Sequence, residues 1–235
     1  MSSPSCSSDL PTSLPARVRA GLRALWRLKD DQGNPDEARL LHLSFDSDTY
    51  ERLADDLRRT PEGRELLAAR PTIPGPSYDL ESLARLPEGT LGHEFARYFA
   101  KYGIEPFTYE YPLRSDGEFL YKRYRETHDV HHIITGYGID ECGEVELQAF
   151  YLGNLGLRHA ALIAATAIPV WLRSSGVRGV ANVLRRIRAA YRRGKDSREL
   201  LSLDVDALWD QPVAKIAALT CAPARSFSGD RGGRR

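Results

Sequence analysis

Apolar residues recur at three- and four-residue intervals over almost the whole chain, and this helical spacing is the strongest constraint on its fold. In "ARVRAGLRALWRL" (16–28), for example, the apolar residues fall largely on one face of a helix and arginines fill the other. The one extended candidate, 109–114, has no sustained two-residue alternation or hairpin dipeptide elsewhere to pair with. We therefore predict an all-α fold, in the form of a single-domain helical bundle.

Spacing and capping residues predict the individual helices. Thr90 is a typical N-cap and Gly103 a typical residue just beyond a helix, so they bound one helix. A long helix is expected to end at "GYG" (136–138), with another beginning near Gly143. The last helix is expected to kink at Pro212. The remaining predicted segments are 16–28, 35–43, 47–58, 61–69, 79–86, 118–135, 177–195 and 204–220.

The length of 235 residues suits one packed domain, which we assign to 16–222. The Ser- and Pro-rich start, 1–15, lacks the apolar core of a secretory signal and is predicted to be a disordered lead, and 223–235 a disordered tail. The apolar run 160–172 is too short to cross a bilayer. Three widely spaced cysteines indicate neither a disulfide framework nor a thiolate zinc site.

The segment "HDVHHIITGYGIDECGE" (128–144) predicts a metal site. His128 and His132 are four residues apart, so both imidazoles lie on one helix face, and Asp129 lies at its flank. The glycines of "GYG" can reverse the chain, so that Glu144 returns from the next helix as a fourth ligand. His131 points elsewhere and is interpreted as a packing or second-shell residue.

Two imidazoles with carboxylates suit Zn²⁺ best, although Fe²⁺, Mn²⁺ and Co²⁺ bind the same donor types. Arg123, Arg125 and Glu126 lie about one turn upstream and are candidates for contacting a substrate carboxylate or the metal ligands.

Three alternatives compete with the metal site. The same residues can form a polar helix face that only makes hydrogen bonds, and spacing alone leaves this alternative open. A zincin requires HExxH, whereas Asp129 occupies the second position. A His-Asp phosphohydrolase would need further ligands such as His93 and Asp204, whose surroundings do not support that assignment.

The longer segment "RYRETHDVHHIITGYGIDECGE" resembles the HDxxH-x11-E signature of the coenzyme Q biosynthesis protein 4 family, with the four predicted ligands at matching positions. Three further segments resemble that family, and together they cover about 45–222: "PEGRELLAARP", "LPEGTLGHEFARYF" and "LWDQPVAKIAAL". The chain has Gln148 where a Lys is expected in mitochondrial members, which favours a bacterial homologue.

The resemblance implies an all-helical protein of ubiquinone biosynthesis, held peripherally on the cytoplasmic face of a bacterial membrane or, in eukaryotes, on the mitochondrial inner membrane. It implies a divalent metal site linked to replacing the ring carboxyl of a polyprenylated 4-hydroxybenzoate-type intermediate by a hydroxyl. It also implies partners among other quinone-biosynthesis enzymes. A non-catalytic scaffold that binds quinone intermediates is the alternative, followed by a soluble metallohydrolase.

A polyprenyl tail needs an apolar groove, and the small and apolar residues of 147–172 are expected to line one. Every formal charge from 173 to 195 is positive, so this helix is expected to face an anionic membrane through Arg185, Arg186, Arg192 and Arg193. A solvated basic face is the alternative.

The formal net charge of +1 and the lack of aromatic residues among the basic ones argue against a nucleic-acid partner. Such an apolar surface also favours a homodimer.

Overall fold

The described part of the chain is all-helical in the computed structural model, as the spacing predicted. It comprises residues 10–11, 13–31, 33–108 and 111–221. Its α-helices are α1 Leu14–Arg27, α2 Pro35–Leu57, α3 Pro61–Ala69, α4 Leu80–Ala84, α5 Leu91–Tyr102, α6 Asp116–Glu126, α7 His128–Thr135, α8 Glu141–Asn154, α9 Arg158–Asp196 and α10 Val213–Thr220. Two 3-10 turns, Leu200–Ser202 and Asp206–Leu208, precede α10.

Side chains that cap helix N-termini set several of these starting points. The α5 prediction is confirmed at both ends, because Thr90 accepts a hydrogen bond from the His93 backbone N–H and Gly103 has φ +62°. The structure places α3 where it was predicted, after the N-cap Thr60. Most of the 1–15 lead and the whole 223–235 tail lie outside the described residues, as does part of the extended candidate 109–114.

The helix predictions differ from the structure at four places. The helix predicted over 177–195 is the second half of the longer helix α9, which begins at Arg158. Residues 35–58 form one helix instead of two, because Asp46 is buried and bonded to α9 and does not mark a loop. The helix predicted over 118–135 is interrupted at Thr127, where φ is −95° and ψ is 0°. Pro212 does not kink a helix but is the N-cap of α10, a position that requires no intrahelical N–H donor.

The course of α9 forms an apolar cavity of about 290 Å³ beside α8. Ala161 and Tyr191 both line this cavity, although 30 residues of straight helix would separate them by about 45 Å. The helix axis therefore turns sharply between these two residues, and both halves of α9 lie against α8. The cavity is lined by Ala149, Leu152, Ala160, Ala161, Ala164, Ala165, Ile168, Leu184, Ile187, Arg188 and Tyr191.

One main hydrophobic core runs from Leu43 on α2 to Cys221 after α10. Aromatic side chains of α2, α5, α6 and α8 form its centre, with Tyr50, Phe95, Tyr124 and Phe150 all buried. This packing brings α6, α7 and α8 together and so fixes the region around the predicted ligands. In the described part of the chain, none of the helices combines the length and the apolar character needed to cross a membrane.

Candidate metal centre

Three of the four predicted ligands converge on one point. The Nε2 atoms of His128 and His132 are 3.2 Å apart. Glu144 faces both, with its Oε1 3.1 Å from His132 Nε2 and its Oε2 3.7 Å from His128 Nε2. One donor atom from each of the three side chains thus lies within 4.8 Å of the others.

The turn between α7 and α8 brings Glu144 back to the histidines. Gly136 ends α7 with φ +75°, a conformation that favours glycine. Asp140 then caps α8 by accepting a hydrogen bond from the Gly143 N–H at 2.9 Å. A Cβ at Gly143 would collide with the carbonyl of Gly138, so the close turn requires glycine there as well. Glu144 consequently lies in the first turn of α8, as the sequence predicted.

Hydrogen bonds to the outer ring nitrogens leave both Nε2 atoms available for a metal. The Tyr137 carbonyl lies 3.0 Å from His132 Nδ1 and can only accept, so Nδ1 carries the hydrogen and Nε2 presents its lone pair. The Tyr151 hydroxyl lies 3.3 Å from His128 Nδ1 and 2.9 Å from His131 Nδ1. His131 is fully buried and, among the described residues, contacts the metal group only through the Tyr151 hydroxyl that it shares with His128.

The electrostatics of the three groups are mutually stabilising. Burial alone would raise the pKa of Glu144, but its hydrogen bonds with His128 and His132 outweigh burial and lower that pKa to about 2. Burial would lower the pKa of His132, yet the hydrogen bond with Glu144 outweighs it and raises that pKa. Burial is the largest cause that lowers the pKa of His131 well below its usual value, and it keeps that ring neutral.

The spacing of the donors fits a transition metal. Four-coordinate Zn²⁺ binds imidazole nitrogen at about 2.0–2.1 Å, which places two such nitrogens about 3.3 Å apart in a tetrahedron. The 3.2 Å separation of the two Nε2 atoms and the 3.1 Å contact between Glu144 and His132 match this spacing. Catalytic zinc sites ordinarily have three protein ligands, such as two imidazoles and one carboxylate, and leave the fourth coordination position of the metal open.

The fourth predicted ligand, Asp129, lies outside this three-residue group. Its Oδ1 accepts a hydrogen bond from the Tyr98 hydroxyl on α5 at 3.1 Å. Burial and the Asp129 charge raise the pKa of Tyr98 well above its usual value, so Tyr98 stays a hydrogen-bond donor. In this arrangement Asp129 joins α7 to α5 and does not complete the metal group.

Of the three upstream candidates, two point away from the histidines. Arg123 is buried and donates from Nε to the Leu201 carbonyl at 2.6 Å. Glu126 pairs with Lys122, with 2.7 Å between its Oε2 and Nζ. The upstream prediction assumed one continuous helix, whereas the chain is interrupted at Thr127, between these two residues and His128.

Arg125 precedes His128 by three residues and is partly buried. Its guanidinium is 4.7 Å from the centre of the Phe107 ring. Its Nε is buried and has no hydrogen-bond partner among the described residues. Arg125 is therefore the upstream residue that we retain as a candidate for binding an anionic group.

A cleft of about 900 Å³ opens beside the metal group, and His132 forms part of its wall. Tyr98 and Lys101 of α5 line the opposite side, and Tyr137 and Gly138 line the turn before α8. Neither Tyr98 nor Tyr151 was predicted as a site residue. Tyr151 lies seven residues after Glu144, two helical turns on the same face, so its position was accessible from spacing, whereas that of Tyr98 depends on tertiary packing.

The four arginines predicted to face a membrane differ in their surroundings. Arg186 binds Glu146 through two contacts of 2.8 and 2.6 Å, and Arg193 donates to the Thr135 carbonyl at 2.7 Å. Arg185 and Arg192 are exposed, and Arg185 donates a hydrogen bond to the nearby Asn182 at 2.7 Å. Two of the four charges are thus held against the protein.

Protonation of the histidines should compete with metal binding. A metal binds neutral imidazole, and the raised pKa of His132 means that proton competition begins at a higher pH than for an ordinary histidine. We expect Zn²⁺ affinity to fall by about tenfold per pH unit, or more, below that pKa. Competitive chelator titrations at pH 8, 7 and 6 will measure this. An affinity that stays constant over this range would contradict the proposed ligands.

Comparison with known proteins decides the family. The model of the family described as "Coenzyme Q (ubiquinone) biosynthesis protein Coq4" matches residues 42–220, which include all three converging side chains. The chain belongs to the Coq4 family. The resemblance inferred from the HDxxH-x11-E spacing is thereby confirmed.

Mitochondrial Coq4 proteins are among the similar sequences. The ubiquinone biosynthesis protein COQ4 of Eremothecium gossypii is 33% identical over 171 residues, covering 70% of this chain and 52% of the relative. The COQ4 homologue of Rattus norvegicus is 32% identical over 172 residues, covering 72% of this chain and 63% of the relative. The chain therefore spans about half to three fifths of the length of these Coq4 relatives.

A crystal structure from Nostoc punctiforme PCC 73102, provisionally described as a ubiquinone biosynthesis protein, has a similar fold. It superposes with a TM-score of 0.68 at 28% identity, covering 86% of this chain and 96% of the other. The all-α architecture of this Coq4 family member thus also occurs in a solved structure.

Proposed function

We propose that the protein is a metal-dependent enzyme of ubiquinone biosynthesis that replaces the ring carboxyl of a polyprenylated 4-hydroxybenzoate-type intermediate by a hydroxyl. The carboxyl carbon leaves as carbon dioxide, and dioxygen supplies the new hydroxyl oxygen. The second oxygen atom leaves as water after taking two electrons and two protons from a two-electron reductant. The observation that carries this proposal is the convergence of His128, His132 and Glu144 beside a 900 Å³ cleft in a member of the Coq4 family.

These three side chains would hold a divalent metal, with Zn²⁺ favoured by the donor set. When bound, such a metal supplies Lewis-acid stabilisation of negative charge on a substrate oxygen. The Tyr137 carbonyl holds the His132 imidazole in the required tautomer, and the Tyr151 hydroxyl is positioned to hydrogen-bond to His128 Nδ1. Arg125, with its unpartnered Nε, is suited to bind and orient the substrate carboxylate.

The apolar cavity between α8 and α9 is suited to a polyprenyl tail. Leu152 in its wall and Glu144 in the metal group lie on the same helix, eight residues and therefore about 12 Å apart. A substrate with its ring at the metal group could thus extend its tail along α8 to this cavity. We propose that the protein works at a membrane surface, where such substrates reside, together with other quinone-biosynthesis enzymes.

Turnover of a short-chain prenylated 4-hydroxybenzoate tests this function. Purified Zn²⁺-loaded protein is incubated aerobically with a two-electron reductant and with substrate labelled with ¹³C in the carboxyl group, and labelled carbon dioxide and the hydroxylated ring are measured by mass spectrometry. We expect both products from the wild type, and a loss of on the order of 100-fold from Arg125→Gln, because one charge-assisted contact contributes a few kcal/mol. Arg59→Gln, at an exposed arginine of the α2–α3 junction, is the matched control and should retain turnover.

A scaffold that binds intermediates without chemistry is the second candidate. The apolar cavity favours it, because tail binding there requires no metal. Folded, metal-loaded protein that binds the prenylated substrate but releases no labelled carbon dioxide would overturn the enzymatic proposal and support the scaffold.

A further inference from the structure

Helix α1 packs on the protein with its small residues and exposes its large ones. Gly21 and Ala24 are buried, and a Cβ at Gly21 would collide with the Phe45 ring of α2. Leu22 and Trp26, by contrast, are 48% and 66% exposed. A surface helix ordinarily turns its large apolar side chains inward, so this arrangement leaves an apolar stripe uncovered by the described residues.

The exposed residues lie on one side of α1. Leu14, Leu22 and Trp26 are separated by eight and four residues, which spreads them over about 120° of the helix circumference. Leu14 is 69% exposed. The edge of α1 that contacts α2 lies next to this stripe, so the helix is anchored along one side and open along the other.

Positive charge borders the stripe. Arg19 and Arg23 are exposed and make no ion pair with any described residue, whereas Arg17 and Arg27 bond to groups of α2. The sequence has no acidic residue between Leu10 and Lys29. The Lys29 ammonium lies 4.3 Å from the centre of the Trp26 ring, which places a further cation at the end of the stripe.

We propose that this surface, formed by Leu14, Leu22 and Trp26 with Arg19 and Arg23, docks the protein on an anionic lipid bilayer. Tryptophan and leucine insert at the level of the headgroups, and the flanking arginines bind lipid phosphates. A symmetric contact with a second copy is disfavoured, because a two-fold axis would bring the same cations together.

This surface is independent of the metal site and of the proposed chemistry. The family model matches residues 42–220, and helix α1 lies before this range. The surface therefore does not follow from membership of the family. It also differs from the basic segment of α9, where Arg186 and Arg193 are held by intramolecular contacts.

Vesicle flotation tests the lipid partner. The full-length protein is mixed with phosphatidylcholine vesicles containing 30% phosphatidylglycerol, or with phosphatidylcholine alone. We expect binding to the anionic vesicles and a decrease in the partition coefficient of on the order of tenfold or more in Leu22→Ser/Trp26→Ser. The matched control is Leu219→Ser on α10, which removes a leucine that is 62% exposed and should not change binding.

A charge pair separates lipid electrostatics from apolar insertion. Arg19→Gln/Arg23→Gln should weaken binding to anionic vesicles by on the order of tenfold and flatten its dependence on salt. Arg59→Gln/Arg85→Gln removes two equally exposed arginines elsewhere and should leave binding unchanged. Equal binding of all four variants and the wild type would overturn the proposal.

Tryptophan fluorescence of the unmodified protein provides a second readout that does not depend on the folding of a variant. Trp171 and Trp209 are buried, so Trp26 dominates quenching by acrylamide. Anionic vesicles should shift its emission to the blue and protect it from acrylamide, and brominated lipid should quench it. An unprotected Trp26 in the presence of vesicles, or protection caused by self-association in sedimentation experiments without lipid, would overturn the bilayer as partner.

Discussion

Replacing His132 by alanine is expected to lower the affinity of the protein for Zn²⁺ by at least about 100-fold, because even the loss of an outer-shell partner costs 10- to 100-fold. His132 Nε2 lies 3.2 Å from His128 Nε2 and 3.1 Å from Glu144 Oε1, so it is the donor closest to both others. Its removal leaves one imidazole and one carboxylate, too few for a stable site. Competition with a chromophoric chelator measures the affinity for Zn²⁺, and metal analysis after dialysis measures how much Zn²⁺ remains bound per protein molecule.

His93→Ala is the matched control for this prediction. His93 lies on α5, and its Nδ1 is 3.0 Å from the Leu86 carbonyl, outside the three-residue metal group. We expect His93→Ala to bind Zn²⁺ as the wild type does. Equal affinity in His132→Ala and the wild type, with both proteins folded, would exclude the proposed metal centre.

The convergence of His128, His132 and Glu144 could be predicted from the sequence because helical spacing and a glycine turn determine it locally. The four-residue spacing of the histidines and the glycines of "GYG" define a helix, a turn and a returning carboxylate, and three of the four predicted ligands converge. Asp129 was predicted as a ligand because it lies at the flank of the helix face that carries the two histidines. Its placement depends on Tyr98, which comes from α5 and has no local signal.

The helices were predictable where caps and periodicity act locally, as for α3 and α5. Prediction was wrong where a polar residue has a distant partner. Two helices were predicted over 35–43 and 47–58, yet Ser44 and Asp46 between them are buried within the single helix α2, and Asp46 bonds to residues more than 100 positions later. The turn of α9 back onto α8 is likewise a tertiary feature, since helical spacing continues through 158–196.

The contact between Asp46 and α9 should be a major stabilising interaction. Leu157, the N-cap of α9, makes no side-chain capping bond. The Asp46 carboxylate caps this helix from α2 instead, accepting hydrogen bonds from the Arg158 N–H at 2.7 Å, the His159 N–H at 2.9 Å and His159 Nδ1 at 2.7 Å. A negative charge at a helix N-terminus is favourable, and here it also satisfies donors that are buried away from water.

Asp46→Ala is therefore expected to lower the free energy of unfolding by about 3 kcal/mol or more, because it leaves three donors unpaired in a buried position. Urea titration followed by circular dichroism measures this loss. Asp48→Ala is the matched control: Asp48 is 62% exposed and pairs with Arg158 at the surface, so its removal should cost less than about 1 kcal/mol. Losses of equal size in the two variants would contradict the capping role.

The same contact determines how this stabilisation depends on pH. Burial alone would raise the pKa of Asp46, but hydrogen bonds from His159 and Arg158 outweigh it and lower that pKa in the folded protein. A carboxyl group with a lowered folded-state pKa stabilises the protein above its unfolded pKa of about 3.9 and loses that contribution as the pH falls through the folded value. The difference in unfolding free energy between the wild type and Asp46→Ala should hence be constant from pH 7 to 5 and shrink below about pH 4. A difference that grows on acidification would show that Asp46 is protonated in the native state and does not cap α9 as a carboxylate.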